Sequence, residues 1–354
     1  MNMFGFFKPR IYWWQRWPSF AIASSSLIFS LFPAVGLAQA TVPRILAQDS
    51  TRNNFTDPTG YTPGPANALG KVEEAGTGAQ SMILIPGLGF GGDIFKEFMA
   101  AHAGQYHMYA VTLAGFGGTP APPSPDSGLS FGEQPWTSGQ MAAIERLISE
   151  KGIKQPVIVG HWLTGTQLAL RLAVKHPDEI KAVIVISGSA RFASMDTTKI
   201  PAEMPISRRI AGVDRFMAPR WFKTVTRETW DDNNFLPGDY AVNPVRGLRL
   251  WREAAKPELH TWVRYLCEYH AQDITLELGK LTVPTLILEP GLEGLPFDPG
   301  NNYMEAFCGR SWEGPNKQNP VVRYQTISNT RVCMWYDQPE RVDKAISEFL
   351  GSIP

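Results

Sequence analysis

The chain has 354 residues, 44% hydrophobic and 19% charged, with 33 basic against 33 acidic side chains. That length supports a substantial core, and such a composition excludes a disordered chain. Balanced charge excludes a broadly basic nucleic-acid-binding surface, so no nucleic-acid partner is expected. The three cysteines, Cys267, Cys308 and Cys333, have no metal-ligand spacing with one another or with histidine, so no metal site is expected.

Residues 1–40 read as a cleaved signal peptide. Lys8, Arg10 and Arg16 supply a positive start, residues 20–35 an apolar run broken by Pro33, and Leu37-Ala38-Gln39-Ala40 a small-x-small cleavage site. The run falls short of a membrane span, so a secreted or periplasmic chain without a stable membrane anchor is expected. Removing the leader leaves 30 basic and 33 acidic residues. Export would permit a Cys308–Cys333 disulfide, with free buried thiols the simpler reading. Residues 41–79 are polar and rich in Gly, Pro and Asn, and read as an extended arm.

Short apolar runs then alternate with helical patterns. Strands are expected at 81–85, 108–113, 156–159, 182–186, 284–288 and 321–327. Helices are expected at 138–151, 166–175 and 339–350; in the first, Met141, Ile144, Leu147 and Ile148 follow three- and four-residue spacing. Apolar strands separated by helices imply a mostly parallel sheet covered on both faces. The alternation stops across 190–275, which carries Trp221, Trp230, Trp251 and Trp262 and reads as a helical lid inserted between core segments 80–189 and 276–354.

Residues 157–165, Val-Ile-Val-Gly-His-Trp-Leu-Thr-Gly, run from a strand directly into a helix, where a G-x-S-x-G nucleophile elbow is the expected device. The chain resembles the α/β-hydrolase family, whose esterases read Gly-His-Ser-Leu-Gly-Gly here. Gly160, His161, Leu163 and Gly165 match; Trp162 stands in the nucleophile column and Thr164 in a glycine column. Pro86-Gly87-Leu88-Gly89 resembles the oxyanion loop, Leu113-Ala114-Gly115-Phe116-Gly117-Gly118 the loop after the next strand, and Asp337-Gln338-Pro339-Glu340-Arg341 the start of the last helix.

The resemblance implies an α/β-hydrolase fold with a helical lid and serine-esterase ancestry. It implies oxyanion-hole N–H donors at Leu88 and Leu163. It places the acid at Glu293, with Glu289 as the alternative, and the base at Val332. No histidine follows His270. Tryptophan cannot form an acyl-enzyme, because its ring nitrogen only donates. Its bulk also fills the space of a substrate carbonyl, whether it is counted as a plug or as core.

Thr164 is a poor substitute nucleophile, two residues past the apex. His161 either packs beside the oxyanion site or moves a proton. His102, His107 and His176 read as surface residues, while His260 and His270 belong to the lid. Gly87-x-Gly89-x-Gly91 lacks the downstream spacing of a dinucleotide site, so no cofactor is expected.

The leading functional reading is therefore an esterase-derived protein without Ser-His catalysis that binds a small apolar or ester-like molecule in a pocket lined by His161, Trp221 and Trp251. The alternative is a hydrolase using a rearranged set of residues. Lyase or cofactor-free oxygenase chemistry and protein binding are lesser readings. Nothing in the sequence specifies an oligomeric state.

Overall fold

A computed structural model describes residues 62–126, 128–191, 205–225, 237–292, 308–312 and 319–353. The leader, Trp230 and Glu293 lie outside them.

Seven strands form one sheet among these residues: β1 (Lys71–Ala75), β2 (Gln80–Ile85), β3 (Tyr106–Thr112), β4 (Val157–His161), β5 (Ala182–Ile186), β6 (Thr285–Pro290) and β7 (Val322–Ile327). Their order is β1-β3-β2-β4-β5-β6-β7. Every pairing is parallel except β1 with β3. Central strands β4 and β5 are buried at all five positions, as a sheet covered on both faces requires.

β1 lies in the segment read as an extended arm. Its sequence, Lys-Val-Glu-Glu-Ala, is mostly polar because it is an edge strand half turned to solvent. Its stability comes from backbone pairing with β3, which apolar periodicity does not report.

The covering helices are α1 (Lys96–His102), α2 (Pro135–Glu150), α3 (Trp162–Lys175) and, after the insertion, α8 (Pro339–Gly351). α2 begins three residues earlier than the periodicity indicates. Pro135 occupies its first turn, and the Glu268 carboxylate accepts the N–H groups of Trp136 at 3.1 Å and Thr137 at 2.8 Å. That cap comes from a distant part of the chain.

Between β5 and β6 lies the helical insertion: α4 (Ile206–Gly212), a π turn (Val213–Met217), α5 (Ala218–Thr224), a helical turn (Pro237–Tyr240), α6 (Pro244–Ala254) and α7 (Leu259–His270). α7 is buried on every side from Thr261 to His270. Its polar residues are accommodated internally: Glu268 caps α2, and the Arg264 guanidinium lies 5.1 Å from the Phe131 ring centre and 5.3 Å from that of Trp136.

One sequence reading needs correction, and the simpler reading of the cysteines holds. His102 is buried, its Nε2 2.9 Å from Asp343 of α8, so it ties α1 to the last helix instead of facing solvent. Cys308 and Cys333 are unbridged and buried; the Cys308 thiol donates to the Ser187 carbonyl at 3.3 Å. Burial pushes both thiols well above their ordinary pKa, which makes them poor nucleophiles.

Candidate functional site

The strand order reverses between β2 and β4, the kind of position where open α/β sheets bind ligands at the carboxyl ends of their strands. Ile85 pairs with Gly160, so the loop after β2 and the turn after β4 leave the sheet side by side.

The turn is built on close backbone approach. A Cβ on Gly160 would lie 2.4 Å from the Gly165 carbonyl oxygen and 2.6 Å from the Ala169 Cβ. A Cβ on Gly165 would lie 2.5 Å from the Ile85 oxygen. The two glycines let α3 descend onto β4 and β2. Trp162 and Leu163 take up the reversal, with φ of +40° and +22°. Non-glycine residues held in this region cost about 1–3 kcal/mol each and persist where packing over-determines them.

Trp162 is 1% exposed. Its indole meets the Tyr240 ring edge-on, with centres 5.8 Å apart, and Tyr240 belongs to the insertion. Tyr240 also stands edge-on to Phe90 of the β2 loop, at 5.8 Å. The space above the apex is thus filled by rings from three separate segments.

His161 has both ring nitrogens engaged. The Gly87 N–H donates to Nδ1 at 3.2 Å, and Nε2 lies 3.0 Å from the Val332 carbonyl oxygen. A carbonyl only accepts, so these partners place the proton on Nε2. Burial drives the pKa of His161 down to about 3, opposed by the Val332 bond. Phe90, Phe95 and Trp335 enclose the imidazole, Trp335 at 4.8 Å and nearly perpendicular. It is a neutral strut between the loop that resembles an oxyanion loop and the segment where the base would stand.

Val332 is buried, and its N–H donates to the Asp239 carbonyl at 3.2 Å. The next N–H, of Cys333, donates to the Tyr240 carbonyl at 3.2 Å. The Arg331 side chain donates to the Gly238 carbonyl at 2.9 Å. Asp337 accepts the N–H groups of Val242 at 2.8 Å and Arg331 at 2.9 Å. The insertion is therefore stitched to residues 331–337 by a row of hydrogen bonds.

The remaining candidates are dispersed. Leu88 and Leu163 are buried beside the turn, and a Cβ on Gly89 would lie 2.9 Å from the Ala254 oxygen and 3.2 Å from Trp262 Nε1. α6 and α7 thus press directly on the β2 loop. Trp221 packs edge-on against His270 at 5.2 Å, and Trp251 is half-buried against the core. His270 is buried, which lowers its pKa to about 3. His260 lies 6.0 Å from Trp136 and 5.5 Å from Phe222. Thr164 has a buried hydroxyl with no hydrogen-bond partner among the described residues. Glu289 sits within β6, in register with Thr326.

Sequence reading missed Tyr240, Phe90, Phe95 and Trp335 as the residues that complete the aromatic cluster. Two of them stand near residues that were read: Phe90 directly follows the Pro86–Gly89 loop, and Trp335 lies three residues after Val332.

Among the described residues, an indole stands at the apex, His161 bridges two backbone groups, and Val332 occupies the column that the family resemblance assigns to the base. In a serine-protease reference case, loss of nucleophile or base costs about 10⁶-fold in turnover.

Comparison with known proteins agrees with the fold. The chain is 27% identical over 225 residues to a pimeloyl-[acyl-carrier protein] methyl ester esterase of Aeromonas hydrophila, spanning 63% of this chain and 81% of that one. It is 31% identical over 112 residues to a putative carbamate hydrolase RutD of Enterobacter cloacae, spanning 31% and 38%. Among solved structures, MenH from S. aureus superposes with a TM-score of 0.57 at 16% identity, covering 79% of this chain and 97% of the other. An esterase from Exiguobacterium antarcticum gives 0.55 at 14%, covering 79% and 95%. Residues 82–345 match the profile of the Alpha/beta hydrolase family, and the chain belongs to that family.

Proposed function

We propose that this protein is an exported, esterase-derived member of its family that performs no acyl transfer at the elbow and instead holds a small apolar or ester-like molecule under the helical insertion, which serves as its lid. One observation carries the reading: the strained apex presents a buried indole closed over by Tyr240, while both nitrogens of His161 are spent on backbone partners. The ester-like ligand class is supported by the methyl ester esterase named among its relatives. The apolar class is supported by the aromatic side chains of the insertion, with Trp262 set against the β2 loop. Export is supported by the leader at residues 1–40.

The test is a short-acyl chromogenic ester and a serine-directed phosphonate probe applied to purified protein, with ligand binding followed by tryptophan fluorescence. No turnover, no labelling and saturable quenching by short acyl esters are expected. Turnover abolished by substituting His161, His260 or His270 would overturn this reading in favour of a rearranged hydrolase.

A further inference from the structure

The solvent face of the insertion differs from the rest of the surface. Five of the seven large apolar residues exposed among the described residues lie in it: Ile206, Phe216, Val242, Val245 and Leu248. Among its described residues, seven lysines and arginines are exposed against a single exposed carboxylate, Glu258. Once the leader is set aside, the chain as a whole has more acidic than basic residues.

α6 shows how these side chains are arranged. Gly247, Leu250 and Ala254 are buried and define its inner face. At 100° per residue, Leu248, Arg252, Val245 and Arg249 fall in that angular order across the opposite face. Val245 is 77% exposed and Leu248 36%. No acidic residue lies between them, since Glu253 falls on the flank. Arg249 sits 3.9 Å from Glu97 with 56% of its side chain exposed, whereas Arg246 is held at 2.9 Å by Glu97 and over the Tyr336 ring. The π turn repeats the chemistry, with Phe216 66% exposed beside exposed Arg215 and Arg220.

We infer that the outer face of α6 docks reversibly on an anionic lipid surface. Apolar side chains that project from a convex helix between arginines can enter the headgroup layer while the guanidinium groups hold phosphates at its rim. The excess of exposed positive over negative charge supplies the complementarity that selects an anionic bilayer. No helix among the described residues is long and apolar enough to cross a membrane.

The test is co-flotation of the purified chain, without its leader, with phosphatidylcholine vesicles prepared with and without phosphatidylglycerol, at low and high salt. Binding is expected only with phosphatidylglycerol, and it should weaken at high salt. Val245→Glu with Leu248→Glu should abolish it. Arg249→Gln with Arg252→Gln should weaken it at least about tenfold. All four positions are exposed, and circular dichroism with thermal melting confirms that the variants remain folded. Failure of the wild type to float, equal binding to neutral vesicles, or unchanged binding by the glutamate variant would each overturn the inference. Self-association that the glutamate variant abolishes, without lipid binding, would overturn it too and make this face an interface between copies.

Discussion

The sheet side and the insertion side of the site follow different rules. On the sheet side, Gly160, Gly165 and the positive φ of Trp162 and Leu163 keep the backbone of an acyl-transfer elbow. On the insertion side, Tyr240 covers the apex and hydrogen bonds join residues 238–242 to 331–337. The difference teaches that the elbow backbone is held by packing, since α3 reaches β4 and β2 only through those glycines. In the proposed reading it stands without the chemistry it resembles. The positive φ of Trp162 is then a cost of the fold, offset by burying the indole.

The sharpest way to break that contrast is to remove the indole. Trp162→Ala should lower stability by about 3–5 kcal/mol, the usual range for a buried tryptophan, read as a shift of the urea midpoint at unchanged slope. At φ +40° a glycine is less strained than an alanine, so Trp162→Gly should be about 1 kcal/mol more stable than Trp162→Ala. The reverse order, normal for ordinary backbone, would show that the apex is not strained. Gly165→Ala tests the sheet side. Its Cβ would meet the Ile85 oxygen at 2.5 Å and the Pro86 oxygen at 2.8 Å, and a loss of about 1–3 kcal/mol is expected. A neutral result would mean that α3 can shift and that packing does not hold the elbow.

Legibility in the sequence divides along the same line. β4, the turn and α3 were readable because an apolar run, two glycines and a helical period lie within twenty residues. β5 was readable to the residue, since Ala182–Ile186 is apolar throughout. β1 was not, because an edge strand of Lys-Val-Glu-Glu-Ala is specified by its partner. The start of α2 depends on Glu268, and the burial of His102 on Asp343, both far along the chain. The aromatic cluster at the apex was legible at Trp162 alone. Tyr240 and Phe90 became part of it only when the insertion was seated on the β2 loop.

Acid should act on both sides through buried histidines, His161 at the end of β4 and His270 in α7. His161 and His270 have pKa values lowered by burial from 6.5 to about 3. Each favours the folded state when neutral, so its contribution is complete above about pH 6.5 and falls away as pH drops toward 3. The slope is at most about 1.4 kcal/mol per pH unit for each group. Burial raises the pKa of Glu268 and Asp337, whose protonation in the folded state opposes part of that loss. His161→Asn should therefore flatten the stability profile between pH 6 and 4 in urea titrations. An unchanged profile would mean that His161 does not titrate on unfolding.

The smallest expected signal is in catalysis, where the contrast between the two sides becomes a question of what each must regain. Trp162→Ser restores the hydroxyl on a backbone already shaped for it, but a serine needs a base within about 2.6–3.2 Å. His161 is not that base while Gly87 and Val332 hold its nitrogens. Trp162→Ser alone should therefore match background with a short-acyl ester. Adding Val332→His supplies an imidazole in the column the family resemblance assigns to the base. A trace of turnover is expected from the pair only, because a misplacement of about 1 Å costs about 100-fold. Turnover by Trp162→Ser alone would show that His161 releases a nitrogen once the indole is gone, making the plug the sole block. Silence from a correctly folded pair would place the block in the hydrogen-bonded row that holds residues 331–337 under the insertion. Asp337→Asn, which weakens acceptance of the Val242 and Arg331 N–H groups, would then be the change to add to the pair.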